Sequence, residues 1–403
     1  MILHIHGKQY NLKNFDHPGG QDILNLCENE PDSTALFESY HAFADMKKIK
    51  YHMKKYEIGD SPNKSMFKFE KDGFYNTVKN KILKEKKFNR YTSKANKKWI
   101  NTIFTTLALF ALCQYIMIYH DNNILKSFVS FVCGIIFMSL GFNMLHDASH
   151  MAISKHWFTN KVISCLIQGF FLWNHTLWVY HHVIKHHQYT GNTEYDPDTR
   201  NLAPFFRKST KLKEKKGEFK HHIGVKLLLF NIVFPGASLG QAILYHFVWS
   251  RKKILWKLNL PKSYMDNWDY LQYFISIFFI LFQLYYVGIL NFYIFIMGWN
   301  LAYYFGSAPD HDMYITYKEK ESKKKLDEID WGEMQVRHSA NFMNNYSIFT
   351  RFFGGINYQI EHHLFPSLNN HKLKEISPIV KQCCKDFNVP YNVVESPLNV
   401  WNQ

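Results

Sequence analysis

Cysteine is scarce in this chain, and what there is does not pair. Of the six among 403 residues, Cys113 and Cys133 lie in apolar runs, Cys165 in a short apolar stretch, and the adjacent Cys383 and Cys384 have no CxxC partner. That excludes a disulfide framework and points to reduced, buried or cytosolic thiols. A secretory signal is missing too. Met1-Ile2-Leu3-His4-Ile5-His6-Gly7-Lys8 has neither a basic start nor an apolar core, so the N-terminus is expected to face the cytosol. There is no fixed-period repeat and no long disordered tail. Acidic residues are in deficit, 33 against 48 Lys and Arg, for a net charge of +15. Such a balance suits nucleic acid, an anionic membrane face or a merely Lys-rich composition. The apolar runs favour the membrane, and nucleic acid is set aside as a partner.

The mean hydropathy of −0.28 would suit a soluble protein, but it averages Lys-rich stretches with long apolar ones, and local windows decide. Two runs, about 99–119 and 124–145, each have the ~20 residues that cross a ~30 Å hydrocarbon core. Between them His120-Asp121-Asn122-Asn123 leaves room only for a turn. A second pair, about 268–287 and 290–306, meets at Gly288. The open ends of both hairpins adjoin Lys94, Lys97 and Lys98, the basic stretch Lys208 to Lys220, and Lys318 to Lys325. The positive-inside rule puts those ends in the cytosol. Two further stretches, Val162 to Trp173 and Leu227 to Val248, are short or broken at Pro235-Gly236 and suit interfacial or re-entrant helices.

What the chain has in excess is histidine, with 22 residues, and the question becomes spacing. Residues 1–60 pattern as a small α+β domain, with Ile2 to Ile5 and Gln9 to Leu12 as a strand pair about a turn at Gly7-Lys8. A Lys-rich, weakly helical linker follows over 61–98. Within the first domain, Asp16-His17-Pro18-Gly19-Gly20 places His17 24 residues before His41. A six-coordinate haem needs two neutral imidazoles on opposite faces and dry walls, here Leu24, Leu26, Leu36 and Phe37. The motif and its interval resemble the cytochrome b5 family, and the likeness runs on to Tyr56-Glu57-Ile58-Gly59-Asp60. It implies haem b with His17 and His41 as axial ligands. That family usually has a further strand and short helix ahead of the counterpart of Ile2.

Three more histidine groups lie at the predicted cytosolic ends of the apolar runs. His146-Asp147-Ala148-Ser149-His150 has an i, i+4 pair on one helix face. His182-Val183-Ile184-Lys185-His186-His187 presents one imidazole and, a turn later, two. Gln359-Ile360-Glu361-His362-His363 closes the series. Imidazole suits Fe, Zn, Cu or Ni. Seven or more ligands exceed one tetrahedral zinc and suit two octahedral-tending irons. Zinc is also redox-inert, and a fused haem domain makes sense only beside a site that consumes electrons.

The order HPGG, HDASH, HxxxHH and QIEHHLFP resembles the front-end fatty acid desaturases, those fused to cytochrome b5. The likeness covers nearly the whole chain, including Gly355 to Tyr358 before the last box and Leu364-Phe365-Pro366 after it. It implies two non-haem irons held by His146, His150, His182, His186, His187, His362 and His363. His311 sits where related membrane desaturases place a further ligand. Gln359, standing for the first His of the third box, should lie beside the metals, and Asn341 should make a water-mediated or outer contact. Asp147, Glu361, Asp196 and Asp198 could orient imidazoles through their distal N–H, while His156, His175, His181, His221, His222, His338 and His371 read as surface or supporting groups. The expected architecture is a small α+β cytochrome b5-like domain followed by an all-α integral membrane desaturase domain over 99–403, with four transmembrane helices and a cytosolic helical cap.

The reaction so implied removes two hydrogens from adjacent methylenes of a fatty acyl chain, towards its carboxyl end, to leave a cis double bond. The acyl carrier is coenzyme A or a phospholipid. Electrons come from an NADH-dependent cytochrome b5 reductase, and the enzyme sits in the bilayer of the endoplasmic reticulum with haem domain and site facing the cytosol. The HxxxHH spacing and the stretch Gly355 to Pro366 look more like delta-5 and delta-4 enzymes than delta-6 ones, whose second box is usually HxxHH. Alternatives are desaturation or hydroxylation of a sphingoid long-chain base, and a membrane-anchored electron carrier.

Overall fold

The computed structural model describes residues 1–28, 30–192, 194–200, 254–255, 258–260, 266–311, 313, 315–316 and 326–402. The expectations for Lys208 to Lys220, Leu227 to Val248 and Lys318 to Lys325, and for His221 and His222, lie outside the described residues.

At the N-terminus β1 (Ile2–Ile5), β2 (Lys8–Asn11) and β3 (Glu57–Asp60) form an antiparallel sheet in the order β1-β2-β3. The hairpin turn is His6-Gly7, one residue earlier than the spacing predicted, and both residues have positive φ, 49° and 70°. That is the twist a two-residue hairpin loop needs, and it explains the glycine. Strand alternation sends Leu3 and Ile5 inward, against Leu24 and Leu26 of α1 (Gln21–Leu26) and Leu36 and Phe37 of α2 (Thr34–Tyr40). After α3 (Met46–Met53) the chain returns through β3.

The segment expected as a linker is packed. Its α4 (Phe74–Lys84) buries Phe74, Tyr75, Val78 and Ile82, an i, i+4, i+8 stripe with one neighbour. They join Trp331, Leu364, Phe365 and Val380 in one core. Of the lysines in this helix, Lys84 faces solvent and Lys81 is half-buried, while Lys79 is buried and pairs with Glu38 at 2.5 Å.

The long helices follow as α5 (Lys97–Tyr119) and α6 (Asn123–Ser149), both long and apolar enough to cross a membrane. Asn96 and Asn122 cap them by accepting from Trp99 N and Leu125 N. Next come α7 (Trp157–Phe170) and α8 (His175–Tyr189), bent by 106° at a short break, a broken span or a re-entrant loop. Leu172 at φ 58° turns the chain, and Asn174 caps the new helix on Leu177 N. The third and fourth apolar runs expected as spans form helices, α9 (Asn267–Tyr286) and α10 (Ile289–His311). Their tyrosines and their buried Gln272, Gln283 and Asn300 dilute the apolar character that marks α5 and α6. By length and apolarity, then, two helices among the described residues are able to cross a membrane, or three if the bent pair is one span.

Helices α6 and α10 touch backbone to backbone, since a Cβ on Gly134 would overlap the carbonyl of Phe295 and one on Gly298 that of Phe131. Ser127 Oγ donates to Asn291 Oδ1 at 2.9 Å, which puts both hairpin turns at one end and leaves the histidine-bearing ends at the other. Outward, α5 and α9 expose Phe104, Leu112, Phe274, Ile277, Phe278 and Leu281, a surface suited to lipid rather than water. Beyond α10 lie α11 (Trp331–Arg337), α12 (Ser347–Phe352), α13 (Gln359–Leu364) and α14 (Leu373–Asp386), which close over the histidine end.

Candidate metal centre

Both long histidine elements are wound more loosely than an α-helix. Gly141–His146 in α6 and Val179–His186 in α8 are π-helical, a form that recurs at functional sites. In an α-helix a residue five positions on points ~140° away. With about 4.4 residues in each wider turn, positions four and five on fall within about 50° of the first. This winding brings His182, His186 and His187 to one side. The third box rides on α13, whose first turn Asn341 holds by accepting from Ile360 N at 2.9 Å.

Eight imidazoles meet at these ends. One ligand atom from each of His146, His150, His182 and His362 lies within 4.8 Å of the others, and His186, His311 and His363 make a second such group. His187 stands between them. Its Nε2 is 3.3 Å from His182 Nε2 and 3.1 Å from His362 Nε2, and its ring stacks on that of His363 at 4.2 Å. His146 and His182 face each other Nε2 to Nε2 at 3.2 Å, as do His186 and His311 at 3.1 Å.

Imidazoles whose lone pairs meet at this distance repel unless something sits between them. Around a metal with bonds of about 2.1 Å, neighbouring nitrogens lie about 3 Å apart. Several buried nitrogens, among them His150 Nε2 and His363 Nε2, also have no hydrogen-bond partner, a cost that a bound metal would remove. The donor set therefore fits metal ions. Burial, and then the neighbouring imidazoles, hold His362 and His363 far below the usual histidine range. Both stay neutral, as ligands must.

The opposite ring nitrogens are held from remote segments. His363 Nδ1 meets Gln335 Oε1 at 2.8 Å and Thr190 Oγ1 at 3.0 Å, and His311 Nδ1 donates to the His338 carbonyl at 2.9 Å. His186 Nδ1 lies between Asp196 Oδ1 at 3.1 Å and Asp198 Oδ2 at 3.2 Å, the orienting part expected of both carboxylates. Asp198 also pairs with His181 at 2.7 Å. Asn370 reaches His146 Nδ1 at 3.2 Å, and the Tyr40 hydroxyl reaches His150 Nδ1 at 2.6 Å. The sequence carried no signal for Tyr40, Thr190, Gln335 or Asn370.

Other expectations are corrected. Asp147 accepts from Asn369 Nδ2 at 2.7 Å, and Glu361 accepts from Asn341 Nδ2 at 2.8 Å and from the Tyr391 hydroxyl at 2.7 Å. Neither carboxylate orients an imidazole in these bonds. Burial raises the Glu361 carboxyl to about 7 despite its two donors. Asn341 thus steadies the α13 backbone and Glu361, and its hydrogen bonds go to no imidazole. Gln359 does lie in the cluster, its Nε2 3.0 Å from His311 Nε2. Among the supporting histidines, His175 meets Ser164 Oγ at 2.8 Å, His371 meets Asn143 Oδ1 at 2.8 Å, and His156 is exposed.

The first histidine pair, expected to hold haem, is also brought together. The rings of His17 and His41 lie 6.1 Å apart between centres. Two imidazoles on opposite faces of one haem would stand about 6 Å apart, two bonds of about 2 Å plus the ring radii. His17 Nδ1 donates to the Gly20 carbonyl at 3.2 Å and His41 Nδ1 to the Phe37 carbonyl at 2.8 Å. Each thereby keeps Nε2 for a ligand. Burial, and then the neighbouring His41, push His17 down to about 4.

The family model described as "Fatty acid desaturase" matches residues 123–395, which hold all eight imidazoles of the cluster. Acyl-lipid (8-3)-desaturase B of Dictyostelium discoideum is 28% identical, with 96% of this chain and 86% of the relative covered. Probable Delta(5) fatty acid desaturase C of the same organism is 29% identical, over 97% and 87%. An acyl-lipid (8-3)-desaturase of Mortierella alpina is 26% identical, over 98% and 90%. A match over most of the chain, centred on the histidine cluster, shows that the chain belongs to the fatty acid desaturase family.

Proposed function

We propose that the chain is a front-end desaturase that inserts a cis double bond, in the delta-5 position, into a polyunsaturated acyl chain. The observation that carries this is the pair of adjoining imidazole groups, His146, His150, His182 and His362 beside His186, His311 and His363, with His187 between. The delta-5 assignment is supported by the names of relatives matched over nearly their whole length and by the HxxxHH spacing.

Two irons in these groups would supply the oxidising power that unactivated methylenes require, which no side-chain acid, base or nucleophile offers. The chain's own part is to keep the imidazoles neutral, fix their tautomers through Asp196, Gln335 and the His338 carbonyl, and exclude bulk water by burial. Gln359 lies beside His311, where it can steady a ligand or a bound molecule. A haem held by His17 and His41 would relay electrons from an NADH-dependent cytochrome b5 reductase, a reading supported by the ring separation and the two tethered Nδ1 atoms. The lipid-suited faces of α5 and α9 and the Lys-rich helix ends favour four helices in the bilayer of the endoplasmic reticulum, with the histidines on the cytosolic side.

Expression in yeast fed a series of polyunsaturated acids tests this reading. A new double bond in an acyl chain, on the carboxyl side of the existing ones, is the expected product. Altered ceramide bases with unchanged acyl chains would sink it in favour of a sphingoid substrate. Iron quantitation separates an enzyme, with two irons and one haem per chain, from a pure electron carrier with haem alone.

A further inference from the structure

The N-terminal module is joined to the metal centre by more than chain connectivity. Leu24, Leu26, Leu36 and Phe37 share one core with Leu177, Val179, Tyr180, Val183 and Ile184 of α8, the helix of the second box. Within that box Lys185 pairs with Glu30 at 2.5 Å, and both side chains are almost wholly buried. Gln188 and Tyr189 add bonds to the same Glu30 carboxylate. Nearby, Lys161 of α7 pairs with Asp22 of α1 at 2.6 Å. Lifting the module away would expose this apolar core to water, so docking is its resting state.

On the docked face lies Tyr40, packed against this core. It ends α2 and immediately precedes His41. Its hydroxyl is 2.6 Å from His150 Nδ1, and the two rings lie within 14° of parallel. His150 is fully buried and belongs to the four-histidine group, and its other nitrogen, Nε2, has no hydrogen-bond partner. From the His41 imidazole to the His150 imidazole the path is therefore one peptide unit, one tyrosine side chain and one hydrogen bond.

We infer that Tyr40 is the electron-transfer joint between the two histidine sites, an inference that rests on the haem-relay reading above. Tyr40 couples the sites for one electron at a time, from a ferrous haem held by His17 and His41, which becomes ferric, to a ferric ion bound at His150, which becomes ferrous. The phenol keeps its proton and is not itself oxidised. With His150 Nε2 turned to the metal, Nδ1 carries the hydrogen and donates it to the Tyr40 oxygen, so the same bond fixes the ligand's tautomer. Tyr40 is a positioning residue, and Glu30 with Lys185 holds the module where that bond can form.

The test uses the full-length protein in detergent, loaded with haem and iron, with Tyr40→Phe as the conservative variant. Haem is reduced anaerobically, then mixed with oxygen and acyl substrate, and its reoxidation is followed optically. Tyr40→Phe should keep the haem spectrum and the iron content while slowing substrate-coupled reoxidation by about 10- to 100-fold, the range for outer partners of a ligand. Reducing the iron directly with dithionite should restore single-turnover product in the variant, which damage to the metal site would not allow. Wild-type reoxidation rates in Tyr40→Phe would overturn the inference, and so would loss of iron without rescue. A second readout needs no cofactor. In metal-free, haem-free protein, Glu30→Gln should raise hydrogen exchange in residues 34–40, and unchanged exchange would refute docking through Glu30. A wild-type chain that binds no haem brings down the relay reading itself, and this inference with it.

Discussion

The two histidine sites are built by opposite strategies. His17 and His41 are 24 residues apart, and each ring is tied to a carbonyl no more than four residues from its own position, Gly20 and Phe37. The eight-histidine cluster draws on α6, α8, α10 and α13, and its rings are steadied by groups up to 224 residues away, as with His146 and Asn370. The tethers of the first site lie within one short module, which in turn docks on α8. The second exists only when the whole helical body is assembled, and it gains in return a dry, rigid set of neutral ligands. Damage to the first should stay local, whereas damage to the second should spread.

The most severe test of that contrast is His186→Ala. It removes an imidazole from the second group, and we expect no new double bond in yeast, with metal lost but the haem spectrum intact. Persistent product would show that the cluster is misassigned. Next, His41→Ala should abolish the haem spectrum yet leave non-haem iron near its wild-type content, with little product unless a separate electron carrier is added. Loss of iron as well would merge the two sites. Gln335→Leu strips one of the two partners of His363 Nδ1, leaving Thr190, while sparing every ligand, and should weaken metal retention by about 10-fold in a chelator competition.

Two milder changes probe the scaffold. Asn341→Ala removes the acceptor for Ile360 N and a donor to the buried Glu361, and should lower stability by about 3 kcal/mol in thermal melts. His371, pushed down to about 4 by burial and then by Arg351 and Lys98, is neutral in the folded chain. Its unfolded value is near 6.5, so below that pH the unfolded state takes a proton that the folded state refuses. Stability should fall by about 2 kcal/mol from pH 7 to pH 5 through this group, and His371→Gln should flatten that slope.

The same contrast governs what could be read from the sequence. The hairpin of β1 and β2 was visible in its alternation, and only the turn moved by one residue, because His6 accepts a positive φ that the pattern did not reveal. The three boxes were legible because ligand spacing is a property of single helices. Their supporting shell was not, since Tyr40, Gln335 and Asn370 acquire meaning only through contacts between distant segments. Asn341 looked like a neighbour of the metals and instead holds the helix that carries them. The supposed linker hid an apolar stripe under its lysines, and the glutamines and tyrosines of α9 were invisible to a search for long apolar runs.

The loosened winding of α8 carries one more consequence. On a regular α-helix, a histidine followed three and four residues later by two others already points all three the same way. In HxxxHH one extra residue is present, and the wider turn of Val179–His186 absorbs it. The spacings HxxHH and HxxxHH are thus two ways of winding one arrangement. An insertion in the second box can be stored in the helix's pitch, leaving the metal's surroundings unchanged and shifting only the face that the rest of α8 turns towards the N-terminal module.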